Sequence, residues 1–335
     1  MFEIPANDQW RTLFAVAEKF IEHALWEKIP EEFIIELCTG ESEDPIYATV
    51  HGFEEEIFGI SVYADKSDVQ KYMNIISEGD DISFQTIVAN QSCVSAIFGE
   101  PFHLGPGDVT AMEQGGYTPK EIPCSHIYFR SYQPGFSPWY ISGPNAELLI
   151  KGLTALDKAV PLFPAEIPDT SAFMLRCTVG ENTAAEVVPF DESLMEDAKE
   201  PVVKDDFYVA RLKRLKKTAK CIEVELCYLS NPVSSQLGAI PFFPQMCIIA
   251  DVDEGYIADQ CLFDETTEEE EAFFTFLANY FQQSGLPRKI NIRTSTTAYL
   301  MRDLCKRLHI TLDESDDLPM IDDFLNMIGG ITPGE

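Results

Sequence analysis

The stretch FPQMCIIADVDEGYIADQCLF, residues 243–263, decides the fold class. Residues 246–252 and 256–263 are two β-rich runs, and Asp253-Glu254-Gly255 between them has the composition of a tight turn. The expected product is a β-hairpin. Beyond it, residues 268–283 have helical spacing, with Phe273, Leu277 and Phe281 on one stripe. Glu268 to Glu271 occupy the first turn, where the helix dipole favours anions, and Thr267 with Glu270 has the spacing of a capping box. A strand over 289–293, a helix over 296–308, a strand over 310–312 and a helix over 320–328 follow. Met301, Leu304, Cys305 and Leu308 give the middle helix its buried face. Strand–helix–strand crossovers make parallel pairs, so the C-terminal unit is expected to be an α/β domain with a mixed sheet. Working back, 221–229 supplies its first strand and 207–220 a basic helix.

The N-terminal part has another rhythm. Asn7 or Asp8 can cap a helix whose apolar face includes Trp10, Leu13, Phe14, Ala17 and Phe20. The runs 33–37, 46–50 and 57–63 alternate with turn-rich segments, as in an antiparallel meander. Helices are expected over 68–76, 83–98 and 144–159, a strand over 125–132 and a loop over 99–123. An α+β domain results. Pro161, Pro164 and Pro168 suggest a boundary, dividing the chain into 1–165 and 166–335. The second part would open with a hairpin (173–179 and 185–190), and the polar run 191–201 should be exposed.

The chain has 335 residues, enough for two cores, and 24 Lys plus Arg against 56 Asp plus Glu give a net charge of -32. Such a field repels phosphate backbones and anionic lipid, so nucleic acid and membrane are disfavoured as partners, and a protein or small-molecule ligand is favoured. The nine cysteines are scattered, without a CxxC pair, mostly in apolar runs, as buried thiols of a reducing compartment are. Neither they nor the five histidines supply zinc-ligand spacing. No cofactor or metal is expected. No basic segment followed by an apolar stretch opens the chain, and no apolar run reaches membrane-spanning length. A cytoplasmic protein is the expectation.

Three groups of residues could carry chemistry. Asp251 and Asp253 end an apolar run, as the nucleophile and general acid of haloacid-dehalogenase-type phosphatases do. Too few residues follow for that fold, and Asp253-Glu254-Gly255 is a ready hairpin turn, the reading preferred for the pair. Arg211, Lys213, Arg214, Lys216, Lys217 and Lys220 crowd one short segment. This basic patch is either a polyanion contact or a solvated face countering the acidic surface. Arg130, Tyr132, Phe136 and Trp139 lie in an aromatic segment that could stack on a ligand or anchor a turn. No GxGxxG, P-loop, GxSxG or HExxH motif occurs.

The runs YATVHGFEEEIFGISVYADKSDVQKYM (47–73) and FRSYQPGFSPWYI (129–141) resemble a bacterial family of domains without assigned function. Its members place a G-x-x-G-E-x-x-G-L-x-V-Y run before an FRSYxPGxxPW signature. Residues 243–263 and 284–312 resemble the partner domain of that family. The C-terminal unit is also similar to the RNase H-like core of retroviral and transposon integrases. There a hairpin, a helix and a G-x-P-x-x-I strand follow in order, as Gly285, Pro287 and Ile290 do here. That resemblance implies a first strand at 221–229, with Glu225 in place of its catalytic aspartate. Where the later strand should carry a second acid, this chain has Arg293 and Thr294, which cannot hold a divalent metal as a carboxylate does. The expected protein is therefore a non-catalytic binding or interaction protein. The alternative is a metal-dependent phosphoester hydrolase or nuclease-like enzyme using Glu225, Asp251 and Asp253.

Overall fold

The structure, a computed structural model, describes residues 3–31, 33–40, 44–52, 58–79, 82–121, 124–168, 170–195, 203, 206–236 and 238–328. It forms two compact units: 1–80 with 90–134 and 138–196, and 81–89 with 135–137 and 197–335.

The first unit is built on a seven-stranded sheet. In chain order it contains α1 (Asn7–His23), β1 (Ile35–Cys38), β2 (Ile46–His51), β3 (Phe58–Tyr63), α2 (Lys66–Ile76), β4 (Cys93–Gly99), α4 (Pro106–Gly115), β5 (His126–Tyr132), α5 (Gly143–Ala159), β6 (Phe173–Thr178) and β7 (Ala184–Pro189). The short α3 (Phe84–Asn90) falls between α2 and β4 in the chain, but its residues 84–89 cluster with the second unit. The strand order is β5-β4-β3-β2-β1-β6-β7. Every neighbouring pair is antiparallel except β1 with β6.

On one face, Leu13, Ala17 and Phe20 of α1 and Leu149, Leu153 and Leu156 of α5 meet Val50, Ile60, Val62, Ala96 and Phe98 of the sheet. Burying these apolar faces is the main stabilising term of the unit. A reciprocal cap starts α5: Ser142 Oγ accepts from the Asn145 amide, and Asn145 Oδ1 accepts from the Ser142 amide at 3.0 Å. On the opposite face, cross-strand register lines up Thr49, Ser61, Ser95 and Arg130 in one row over β2 to β5.

Three expectations change here. The helix expected over 83–98 is a short helix followed by β4, whose Val94, Ala96 and Phe98 enter the core with the two-residue period of a strand. The loop expected over 99–123 contains α4, with Pro106 at its start and Asp108 reaching back to the Gly105 amide at 2.8 Å. The boundary moves as well. β6 pairs in parallel with β1, so residues 173–189 complete the first sheet, and the proline-rich 161–168 is a connection inside this unit. Of the polar run 191–201, Asp191 is exposed, Glu192–Met195 forms a helical turn with Leu194 buried, and 196–201 lie outside the described residues.

The second unit contains α6 (Asp206–Leu212), β8 (Cys221–Tyr228), β9 (Gln245–Asp251), β10 (Tyr256–Phe263), α7 (Glu269–Ser284), β11 (Lys289–Ile292), α8 (Ser295–Leu308), β12 (Thr311–Glu314) and α9 (Pro319–Met327). Its mixed sheet has the order β10-β9-β8-β11-β12. The β8–β9–β10 meander is antiparallel, and β11 is parallel to both β8 and β12. The two faces of β8 have different partners. Ile222, Val224 and Leu226 pack with α7 and α8, and Cys227 packs with Met246, Ile248, Leu318, Ile321 and Leu325 on the α9 side.

The basic helix stops at Leu212 rather than reaching Lys220. The Leu286 amide donates to Lys216 O at 2.9 Å, and the Thr218 amide donates to Leu286 O at 2.8 Å, which holds that segment extended. Gly285, at φ +85°, permits the approach, since a Cβ there would lie 2.6 Å from Lys216 O. The capping box at Thr267 is also absent. Its hydroxyl instead bonds Asp264 Oδ1 at 2.9 Å in the preceding turn, and α7 begins at Glu269. Among the described residues no helix is long and apolar enough to cross a membrane.

Candidate functional site

The first unit holds a cavity of about 190 Å³ between α1, α4 and β5. Trp10 and Phe14 enter from α1, Ala111 and Gln114 from α4, Ile127 and Phe129 from β5, and Tyr140 and Ile141 from the chain leading into α5. The rings brace one another: the Phe14 and Phe129 centroids are 5.2 Å apart, and Phe14 stacks on Tyr117 at 4.7 Å. Trp10 is 6% exposed, and its indole N–H meets no acceptor among the described residues.

Beside this cavity sits a bidentate ion pair. Arg130 donates from Nη1 to Asp108 Oδ1 at 2.7 Å and from Nη2 to Oδ2 at 2.8 Å, in a bidentate fork. Nη1 also donates to Phe129 O at 2.8 Å. The guanidinium lies over two rings, 5.0 Å from the Tyr128 centroid and 5.1 Å from that of Tyr140. Gly107 makes room for Tyr140, because a Cβ there would lie 2.6 Å from that ring.

The four residues singled out in the aromatic segment part company. Arg130 belongs to this cluster. Tyr132 shares its side of β5, and burial pushes the phenol up to about 12. Trp139 pairs its backbone with Ser131 at 2.8 and 3.0 Å, and its ring meets Tyr140. Phe136 clusters with the second unit and packs on Phe242 there.

The three acids of the second unit do not converge. In the β8–β9 register Asp251 faces Ile222, on the α7–α8 side, and Glu225 shares the α9 side with Cys227. Asp251 accepts from Lys220 Nζ at 2.5 Å and from the Glu254 amide at 3.1 Å. Asp253 accepts from the Cys221 amide at 3.0 Å, and Gly255 turns the chain at φ +74°. Both aspartates thus build the hairpin corner. Glu225 is fully buried in mid-strand, and burial pushes its carboxyl up to about 7. Thr294 and the Arg293 guanidinium pull the other way, although neither carboxylate oxygen completes a hydrogen bond among the described residues. Arg293 Nε lies 3.8 Å from Glu225 Oε2, and its Nη1 donates to Asp322 Oδ1 at 2.7 Å. The neighbouring Glu223 accepts both the Met320 and Ile321 amides at 3.1 Å, capping α9.

The basic patch divides as well. Lys220 is bound to Asp251 and Glu254, and Arg211 donates to Gln282 Oε1 at 3.0 Å. Lys213, Arg214, Lys216 and Lys217 are exposed and form no ion pair among the described residues. Among those residues no group of His, Cys, Asp and Glu could hold a metal ion.

Residues 10–167 match the model of a family described as Domain of unknown function (DUF7309), and residues 208–329 match that of Domain of unknown function (DUF6930). The two matches lie one after the other along the chain. No curated protein and no solved structure matches it. The DUF7309 stretch contains the whole cavity wall from Trp10 onward, and the DUF6930 stretch contains Glu225, Asp251, Arg293 and Asp322. β6 and β7 complete the sheet of the DUF7309 stretch from beyond its end. Asp108 and Tyr128 escaped the sequence reading of this domain, whereas Tyr140 stood in the aromatic segment singled out with Arg130. The signal was present in Gly105-Pro106-Gly107-Asp108, where proline at the first turn and an acid two residues later mark a helix start.

Proposed function

We propose that the chain is a binding protein whose first unit takes up a small, mainly apolar molecule in the cavity beside Arg130. The observation that carries this is a space of about 190 Å³ walled by aromatic and aliphatic side chains that already brace one another. An apolar cavity of about 150 Å³ accepts a benzene ring, so one ring or a short branched chain fits this volume. The buried indole N–H of Trp10 favours a guest bearing an acceptor oxygen, since an unmet donor costs about 1–3 kcal/mol.

In the second unit, the meander, helix, strand, helix, strand sequence supports a degenerate RNase H-like core. Arg293 set between Glu225 and Asp322 supports a non-catalytic role for it, because a fixed cation occupies ground that a divalent ion would need. Phosphoester hydrolysis by Glu225, Asp251 and Asp253 draws no support from side chains on opposite faces of one sheet. Nine free thiols support a reducing compartment. The net charge of -32 continues to favour protein or small-molecule partners over nucleic acid.

The test is saturation-transfer NMR with one-ring fragments such as indole, p-cresol and benzoate, on the full chain and on Thr110→Trp. Thr110 is exposed in the cavity wall, so a tryptophan there plugs the space without disturbing the core. Binding to the wild type that disappears in a variant of unchanged melting temperature is expected. Equal binding to both proteins, or to neither, would defeat the proposal.

A further inference from the structure

The sheet face opposite α1 and α5 carries a hydrogen-bonded chain of side chains that takes no part in the cavity. Glu31 Oε1 lies 3.0 Å from Nδ1 of His51, and Glu31 Oε2 accepts the Gly52 amide at 3.1 Å. His51 Nε2 lies 3.0 Å from Ser61 Oγ, which in turn lies 2.8 Å from Ser95 Oγ. Thr49 Oγ1 approaches the same Nε2 at 3.3 Å and engages the Tyr63 hydroxyl at 3.2 Å.

The order acid, imidazole, hydroxyl has a chemical consequence. A carboxylate at Nδ1 holds the ring proton there and leaves Nε2 as an acceptor. An acceptor 3.0 Å from a serine hydroxyl is placed to take its proton as the oxygen attacks an acyl carbon. Ser61 is 6% exposed, and the side chains of His51 and Glu31 are 28% and 33% exposed, so the relay opens to solvent at its basic end. Gly59 stands two residues before Ser61 on the same side of β3, opposite His51 in register. The backbone of Ser61 is taken up in the ladders to β2 and β4, so the strand offers no pair of free amides to an oxyanion.

We infer that Ser61 is an acyl acceptor that takes a single acyl group from an activated donor, an acyl thioester or an activated ester. His51 is the base and Glu31 its positioning residue. In the step, a bond forms between Ser61 Oγ and the acyl carbon, and the donor's C–S or C–O bond breaks. The hydroxyl proton passes to His51 Nε2 and from there to the departing thiolate or alkoxide. With no oxyanion donors among the described residues of the strand, the serine ester persists, so the reaction is a stoichiometric modification rather than turnover. It rests on residues separate from the cavity and stands whether or not the cavity binds a guest.

The experiment treats the full chain with a fluorophosphonate, which loses fluoride to a reactive serine, and separately with p-nitrophenyl acetate. Intact mass and peptide mapping follow the adducts. One adduct per chain is expected, on Ser61. His51→Asn should slow it by about 10²-fold or more, the usual contribution of a general base. Glu31→Gln should slow it and move the pH profile. Ser61→Ala should abolish it and keep the melting temperature. Should His51→Asn fail to fold, Glu31→Gln decides by its rate and profile. No adduct on the folded chain, adducts only elsewhere, or a Ser61 adduct whose rate ignores both variants would overturn the inference and leave a structural polar ladder.

Discussion

Asp108 closes both carboxylate oxygens on one partner, Oδ1 on Nη1 of Arg130 at 2.7 Å and Oδ2 on Nη2 at 2.8 Å. Asp108 is 4% exposed and the Arg130 side chain 17%, so the pair is largely out of water. Removing one member strands the other. Arg130→Met should therefore cost the first unit about 3–5 kcal/mol. Adding Asp108→Asn should recover part of that loss, because the pair is coupled. Urea unfolding of the four proteins of the cycle measures both terms, and an Arg130→Met variant within about 1 kcal/mol of wild type would contradict the account.

Glu225 makes the second unit more stable toward acid. Its folded pKa of about 7 exceeds the ordinary 4.5, so between those values the folded chain holds a proton that the unfolded chain has released. Stability contributed this way is complete below about pH 4.5 and is lost as pH rises through about 7. The swing is on the order of 3 kcal/mol, from about 1.4 kcal/mol per unit. Glu225→Gln should flatten stability between pH 5 and pH 8 and raise it at the upper end. Denaturant midpoints across that range decide it; an unchanged slope in the variant would refute the assignment.

Asp251 acts with the opposite sign. Burial alone would raise its carboxyl, but the Lys220 ammonium and the Glu254 and Asp253 amides outweigh it and hold the group below its ordinary value. Its contribution is present above the unfolded pKa and fades as pH falls through the folded one. Lys220→Met should move the acid-unfolding midpoint upward and cost roughly 1–3 kcal/mol at neutral pH. A midpoint that stays in place would show that the hairpin corner does not depend on this cation.

The triple change Lys213→Gln, Lys216→Gln, Lys217→Gln should leave stability within about 0.5 kcal/mol of wild type, as exposed side chains without ion pairs have little to lose. Fluorescence titration with RNA or DNA at about 0.15 M salt should find no salt-sensitive affinity, given the opposing field. A measurable affinity that the triple change weakens would instead make this segment a polyanion contact.

How far the sequence could be read depended on the range of the interactions. The second unit was legible because its signals are local: Gly255 marks the hairpin corner, and Phe273, Leu277 and Phe281 repeat at helical spacing. All three side chains are buried as that pattern implies. The addition of β6 to β1 was not legible, since the residues it pairs, such as Ile35 and Leu175, are far apart in the chain. The same holds for Glu31, His51, Ser61 and Ser95, which four separate segments bring together. Their trace was faint: polar residues at inward positions of otherwise apolar strands. Arg293 and Thr294 were noted for the acid they replace, but Asp322, the partner from α9, could be found only in three dimensions.

Arg293 supplies the charge opposite Glu225 and Asp322 from the polypeptide itself. A bound divalent ion exchanges with its surroundings, answers to chelators and competes with other ions. A guanidinium does none of these and keeps its charge at every pH the fold survives. The electrostatic balance beneath α9 is thus set when the chain is made, indifferent to swings in magnesium or manganese. The second unit carries its counter-ion in its own sequence.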